Sequence, residues 1–467
     1  MSEPQPLVVT AVAASAQLGG TERVLLDFAN RAFEHDIALR VITPRDGPLV
    51  DILNKIGVPT EIVPASDAML TGSQREGALW TLPGAVLGLM GWSRRLKDHR
   101  FIREAKVIYT VAFKTHFAAA VARLHPVVWH LHEFPPAMTG RMWQMLAKRV
   151  PDHMIAVSEA TGHAWREESG DGPEEEGRWA RWRGRWGSAE APPMTVVRNG
   201  VNLDRFKPRE RTYWIHDRLG IPHQHRIIGM PAVFARWKGQ LEVIDAFSQV
   251  CDDIPDTHLV IIGGTIYDTA AEREYGEVLL ETTGQWGLAR GTALGSGEWG
   301  PISELTGEEG DPGSWRDAGQ RDPDAERVPA EAARLQRVHL LPFQREIELA
   351  YPEFDLAVHY SLRPEPFGRV VLEAMACGVP IIAAAEGGPL EIVGDGIGPR
   401  REAGWLAEPR NPAELARVMA SALSLPSEVL ASIGAAGRRR AEDEFSSRHF
   451  AAGVAKVLAE VFARVER

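Results

Sequence analysis

The chain of 467 residues has only two cysteines, Cys251 and Cys377, far apart in sequence. Two are too few for a disulfide framework or a cysteine-based zinc site, and the scarcity fits a reducing compartment. No apolar run reaches the roughly 18 residues that a membrane-crossing helix needs. The N-terminal stretch MSEPQPLVVTAVAAS has no basic segment ahead of a long apolar one, so it does not read as a secretory signal. Net positive charge is also missing: the formal charge is -11. That argues against a general nucleic-acid binder, while leaving room for a local basic pocket around a phosphate. The glycine fingerprint of dinucleotide-binding sites is absent as well, which counts against a nicotinamide-dependent oxidoreductase.

What is present is the balance of an ordinary water-exposed globular chain, 44% hydrophobic and 25% charged, with length for two or three domains. Short β-rich runs alternate with helical patterns, which predicts an α/β fold with parallel sheets. Strands are expected at Leu7–Val12, Leu39–Thr43, Val107–Val111, Val127–Leu131 and Met154–Val157, with a helix over Thr21–Phe33. A second series is expected at Thr195–Val197, Ile227–Met230, His258–Ile262, Arg337–Leu341, Leu356–Tyr360 and Pro380–Ala384. The strands of the first series are apolar on both faces, as suits strands covered on both sides of a sheet. The reading is two Rossmann-like domains, 1–195 and 196–445, with a C-terminal helix at 446–467 that returns to the first. Segments of about 165–190 and 284–335 break the pattern as insertions. Ligands of such sheets sit at the carboxyl ends of the strands, so a cleft between two facing sheets is the expected site.

Four motifs stand at predicted strand ends. The densest is Glu365-Pro366-Phe367-Gly368-Arg369-Val370-Val371-Leu372-Glu373. A helix N-terminus offers unpaired N–H groups and a positive dipole end, a seat for a diphosphate. Gly368 permits close approach of the backbone. Glu365 precedes the helix, where it can accept hydrogen bonds from sugar hydroxyls. Glu373 is read as about two turns in, within reach of ribose hydroxyls. The plainer reading makes Glu365 a helix-start residue and Glu373 an exposed one. Next, Arg236-Trp237-Lys238-Gly239-Gln240 supplies cations suited to a departing diphosphate. Arg236 is equally well a solvated loop charge. Gly19-Gly20-Thr21-Glu22 allows a tight turn with amides facing a phosphate, or a plain strand–helix turn. Last, His130-Leu131-His132-Glu133 puts two imidazoles on one strand face. Zinc binding there is a poor reading because no third ligand motif is evident.

Taken in order, these motifs resemble the family 4 glycosyltransferases over nearly the whole chain outside the two insertions. The resemblance implies a GT-B fold and a retaining transfer of a hexosyl unit from a nucleoside diphosphate sugar. In the family the second glutamate binds the ribose and the first the donor sugar, which assigns Glu373 and Glu365. The amides after Phe-Gly hold the diphosphate, which assigns the Phe367-Gly368 turn with Arg369 and Val370. A Lys before Gly and an Arg about five residues earlier neutralise the leaving diphosphate. Lys238 matches, whereas Val233 occupies the arginine's place and Arg236 is the candidate substitute. The Gly19-Gly20 loop approaches the donor phosphate, and His132 matches a histidine beside the donor sugar. The catalytic candidates are thus His132, Lys238 and Glu365, with no metal and no cofactor expected. Arg198–Phe206 resembles the family's interdomain stretch, with Asn202 where Asp is usual. Gly387-Gly388-Pro389-Leu390-Glu391 either lines the donor pocket or is a turn feeding a helix.

The resemblance also points to a glycan, lipid-linked or small-molecule acceptor, to bacterial polysaccharide assembly, and to a cytoplasmic protein, with or without contact at the inner membrane face. A sugar phosphorylase and a catalytically inactive partner subunit remain as rivals. Two surfaces stay open. Leu79–Trp92, followed by Ser93-Arg94-Arg95-Leu96-Lys97, reads as a buried helix or an interfacial one. Trp179, Trp182 and Trp186 share a helical face suited to an acceptor, a lipid, a protein or the first domain's own surface.

Overall fold

The computed structural model describes residues 5–67, 69, 83–136, 140–166, 191–264, 270–284, 335–394 and 403–467. The chain divides into two compact units, Met1–Gly200 with Ser447–Arg467, and Val201–Ser446. The joint therefore falls at Gly200–Val201, a few residues beyond the 195/196 boundary read from the sequence.

The first unit is built on a parallel sheet of β1 (Leu7–Val12), β2 (Ile37–Thr43), β3 (Thr60–Ile62), β4 (Val107–Thr110), β5 (Val127–Leu131), β6 (His153–Ala156) and β7 (Met194–Val196). Its spatial order is β3-β2-β1-β4-β5-β6-β7. Alternate residues feed two cores, because successive side chains on a strand point to opposite faces. Val9 and Ala11 join Phe28, Tyr109, Phe450, Val454 and Leu458 on one face. Val12 joins Trp92, Ile108, Trp129 and Trp143 on the other. The helix Ser447–Val465 lays Phe450, Val454, Leu458 and Val461 into the first of these cores.

The second unit carries β8 (Arg226–Pro231), β9 (Thr257–Ile262), β10 (Val338–Leu341), β11 (Leu356–His359), β12 (Ile381–Ala384) and β13 (Trp405–Ala407). All pair in parallel in the order β10-β9-β8-β11-β12-β13. In both sheets the strand order reverses beside the first strand of the unit, between β1 and β4 and between β8 and β11. Chains leaving the carboxyl ends of those neighbours diverge to opposite faces and open a crevice, the favoured place for a ligand in such sheets.

The structure departs from the sequence reading in several places. The helix expected over Thr21–Phe33 spans Gly20–Ala29 and is followed by a separate turn at Ala32–His35. Asn30 ends it, turning its side-chain amide back to the Leu26 carbonyl at 2.8 Å. β3 and β13 were not expected. Each is a three-residue strand at a sheet edge, too short for an alternation to register. The helix Pro83–Asp98 buries Ala85, Leu89, Trp92 and Leu96, and the Trp92 indole donates to the Val63 carbonyl at 2.8 Å. That supports the buried-helix reading for 83–92, although Leu87 stands 68% exposed. Among the described residues no single helix is long and apolar enough to cross a membrane. Residues 79–82, Trp179, Trp182, Trp186 and nearly all of both insertions lie outside the described residues.

Candidate functional site

The crevice of the second unit is assembled by backbone constraints. The chain leaving β8 makes a short turn at Arg236–Lys238, which ends at Gly239 with φ +74°. A Cβ on Gly239 would sit 2.2 Å from the Tyr360 carbonyl oxygen. Only glycine lets the turn press so closely on the chain leaving β11. The Leu362 amide then donates to the Trp237 carbonyl at 2.7 Å. These contacts deliver Lys238 to Glu365.

The Lys238 ammonium donates to Glu365 Oε1 at 2.9 Å and Oε2 at 3.0 Å. His359 Nε2 reaches Oε2 at 2.7 Å, and the Ser361 hydroxyl donates to Oε2, also at 2.7 Å. His359 and Ser361 are buried. Burial works against the Glu365 charge. Even so, the Lys238 ammonium, then His359 and the Ser361 hydroxyl, hold its carboxyl well below the ordinary carboxylate range. The surrounding donors therefore favour the ionised carboxylate. Sequence reasoning named Lys238 and Glu365 but missed His359 and Ser361. Their one signal is polar residues ending an otherwise apolar strand.

The turn after Glu365 is equally constrained. Gly368 has φ +100° and caps the helix Arg369–Ala376. Glu365 bridges Gly387, and its carbonyl accepts from the Gly388 amide at 2.8 Å. A Cβ on Gly388 would lie 2.4 Å from Phe367 Cα. The Gly387-Gly388 pair is thus both a turn feeding the helix Gly388–Val393 and a seat for the Glu365–Phe367 backbone. Phe367 is buried, edge-on to Phe445 at 6.2 Å between ring centres, so it anchors the turn. The first amides of the helix, at Arg369 and Val370, have no intrahelical acceptor by the geometry of any helix start.

Two expectations need correcting here. Because the helix begins at Arg369, Glu373 lies one turn in, not two. Nor is it exposed: 8% of it meets solvent. Its Oε2 accepts from the Tyr351 hydroxyl at 3.3 Å, and Arg369 Nε stands 3.6 Å from Oε1. Burial, then the Glu373 charge, pushes the Tyr351 hydroxyl well above its ordinary range, so it remains a donor. Arg236 is engaged elsewhere. Its guanidinium makes a two-pronged pair with Glu242 at 2.6 and 2.8 Å, and its side chain is 57% exposed. Val233 serves through its backbone, accepting from the Gln240 side-chain amide at 2.7 Å.

The first unit has its own polar group at the carboxyl end of its sheet. Gly19 caps the helix Gly20–Ala29 after β1, and Glu22 in its first turn is buried. Burial pushes the Glu22 carboxyl up to about 7, against its backbone hydrogen bonds and with help from the nearby Glu133 charge. Glu133, after β5, is raised as well, although its side chain reaches solvent, and the Phe113 amide and Lys114 oppose the rise. Burial draws Lys114 down to about 8, against the attraction of Glu133. Segments after β1, β4 and β5 thus bring two carboxyls and an ammonium within electrostatic reach. His132 belongs to the same end, its ring centre 4.0 Å from that of His130. His130 is buried, stacked on Phe450 and bonded through Nδ1 to the Tyr109 hydroxyl. Burial, then His132, holds it well below the ordinary histidine range. His130 is therefore structural, as a neutral ring backing His132.

Comparison with known proteins agrees with this geometry. Residues 18–175 match the model of glycosyltransferase family 4, and residues 318–440 that of the glycosyl transferases group 1. A D-inositol 3-phosphate glycosyltransferase of Geodermatophilus obscurus is 30% identical over 256 residues, 54% of this chain and 44% of that protein. The alpha-1,3/1,6-mannosyltransferase alg-2 of Neurospora crassa is 37% identical over 100 residues, 21% of this chain and 20% of that protein. The chain thus spans about half or less of the length of these curated relatives. Among solved structures, Anabaena HepE in complex with UDP and glucose superposes with a TM-score of 0.65 at 22% identity, covering 97% of this chain and all of that one. One glycosyltransferase family model falls within each unit, and both sheets reverse their order at motif-bearing loops: the chain carries these two glycosyltransferase domains, and its fold is GT-B.

Proposed function

We propose that the protein transfers a hexosyl unit from a nucleoside diphosphate sugar to an acceptor hydroxyl, with retention at the anomeric carbon. The observation that carries this reading is the Lys238–Glu365 ion pair beside the helix start at Arg369. One cation, a row of helix-start amides and a carboxylate held in its ionised form within one crevice suit a diphosphate with a sugar attached. Glu373, aimed by Tyr351, would take the ribose. With Arg236 held by Glu242, charge on the leaving diphosphate falls to Lys238 and the amides of Gly368 to Val370. The acceptor hydroxyl attacks from the face the diphosphate leaves, and a phosphate oxygen takes its proton. Glu365 positions the sugar. Most of the acceleration comes from orientation and charge stabilisation, so the transfer needs no metal.

The acceptor is a glycan, a lipid-linked intermediate or a small metabolite. Bacterial polysaccharide or glycoconjugate assembly on the cytoplasmic side, with or without peripheral contact at the membrane, suits such a reaction. Incubation with UDP-, GDP- and ADP-sugars, with and without EDTA, tests the proposal through slow donor hydrolysis and thermal stabilisation. We expect one donor class to stabilise the protein, EDTA to have no effect, and Lys238→Ala and Glu373→Ala each to lower turnover or donor affinity by on the order of a hundredfold. Stabilisation by inorganic phosphate with none by any nucleotide would favour a phosphorylase instead. Nucleotide binding without sugar release would favour an inactive subunit.

A further inference from the structure

Glu365 is held unevenly. Oε2 accepts from three donors, Lys238 Nζ at 3.0 Å, His359 Nε2 at 2.7 Å and Ser361 Oγ at 2.7 Å. Among the described residues Oε1 accepts from Lys238 alone, at 2.9 Å. A carboxylate oxygen has room for about two good hydrogen bonds, so Oε2 is fully used and Oε1 is not. The Lys238 ammonium is also committed: it lies against both oxygens and over the Trp237 ring, 4.1 Å from its centre. A diphosphate arriving at this crevice competes with Glu365 for that ammonium. If the lysine were the only tether, winning it would release the carboxylate at the moment the sugar needs it.

We propose that His359 and Ser361 are positioning residues that keep Glu365 in place when the donor diphosphate draws Lys238 away, leaving Oε1 as the oxygen that receives a sugar hydroxyl. This rests on the nucleotide-sugar reading of the crevice. Both side chains suit the task. His359 closes β11 and is 4% exposed, and Ser361 is 1% exposed, so neither has solvent to turn towards. Among the described residues His359 Nδ1 is buried with no hydrogen-bond partner, so the ring's polar contacts run through Nε2, to Glu365 and Ser361. The two donors reach Glu365 from only six and four residues upstream, on chain already pinned to the Trp237 turn. Lys238, on a long flexible stem, is the one partner that can move without disturbing the backbone.

The arrangement separates two increments of donor binding. The diphosphate depends on Lys238 and the helix amides. The sugar depends on Glu365, and through it on His359 and Ser361. Titration calorimetry on the full chain would compare UDP with UDP-glucose and GDP with GDP-mannose, for the wild type, Ser361→Ala, His359→Asn and the double variant, with donor hydrolysis measured alongside. We expect affinity for the free nucleoside diphosphate to stay within about twofold. The extra affinity contributed by the sugar, and kcat, should fall on the order of tenfold in each single variant, as for loss of a hydrogen bond to a charged group. Ser361→Thr, which keeps the hydroxyl, should restore most of the loss. Equal loss of nucleoside diphosphate and nucleotide-sugar affinity would overturn the proposal, since it would mark a merely structural role. An unchanged sugar increment in the double variant would do the same. Should the wild type bind neither nucleotide nor nucleotide sugar, the functional reading falls first and the inference with it. Thermal melts confirm that each variant is folded, and Ser361→Ala removes a single oxygen should His359→Asn not be.

Discussion

Glu22 should make the first unit less stable as pH rises from about 4.5 to 7. It sits in the first turn of the Gly20–Ala29 helix, buried, with the Glu133 charge near. Its carboxyl rises from an ordinary 4.5 to about 7. In the unfolded chain the same group loses its proton near 4.5, so between those values the folded state binds a proton that the unfolded state has released. Stability therefore falls with rising pH across this window. A shift of that size corresponds to about 3 kcal/mol at its limit. Near alkaline pH that is on the order of 6–12 °C in melting temperature for a unit of this size. Glu22→Gln removes the titration while keeping the shape. The assay is the melting temperature of wild type and variant from pH 5 to 8.5, followed by tryptophan fluorescence because Trp92, Trp129 and Trp143 lie in that unit's core. The variant's advantage should grow from about two degrees at pH 5 to several degrees at pH 7 and then level off. A constant offset across the range would refute the reasoning, because a fixed packing change cannot depend on pH.

Other outcomes follow from the second unit. His225, His258 and His339 line the amino-terminal ends of β8, β9 and β10 with ring nitrogens 3.1 and 3.0 Å apart, and Asp256 lies 3.4 Å from His225. Burial, then His339, His225 and Arg337, with His216 further away, pulls His258 from 6.5 down to about 3. The unfolded chain takes up that proton below about 6.5 and the folded chain refuses it, so stability is lost as pH falls through this window. The slope stays below about 1 kcal/mol per pH unit, since partial exposure screens it. His258→Leu should lower the midpoint of acid unfolding, and an unchanged midpoint would count against the ladder. Gly388→Ala forces a Cβ onto the Phe367 backbone, so it should cost about 1–3 kcal/mol and abolish nucleotide stabilisation. Gly20→Ala meets nothing within 4 Å and should leave the melting temperature within about a degree. Comparable losses in both would discredit the steric account. Tyr351→Phe should weaken nucleoside diphosphate binding several-fold while sparing the melting temperature, because the hydroxyl's bond to Glu373 is long at 3.3 Å. Calorimetry decides it.

Sequence alone determined the elements whose cause is local. Runs such as Leu7–Val12 and Val127–Leu131 are mostly apolar on both faces because parallel strands are covered on both sides, and that signature survives without any partner. The glycines at 239 and 368, and the polar groups clustered after strands, were legible for the same reason: they mark where the chain turns. Three-residue edge strands such as Thr60–Ile62 carry no such pattern, since their strandedness comes from a neighbour. Tertiary structure decided everything that depends on which strands lie side by side. β8 and β11 are over a hundred residues apart in sequence, yet their adjacency alone turns a loop lysine and a loop glutamate into an ion pair, and recruits His359 and Ser361 to it. Glu133 comes within electrostatic reach of Glu22, and Arg236 is spent on Glu242, by the same logic. Propensity and periodicity act within a few residues, whereas burial, charge coupling and competition for a partner act through space, and only the folded chain sets those distances.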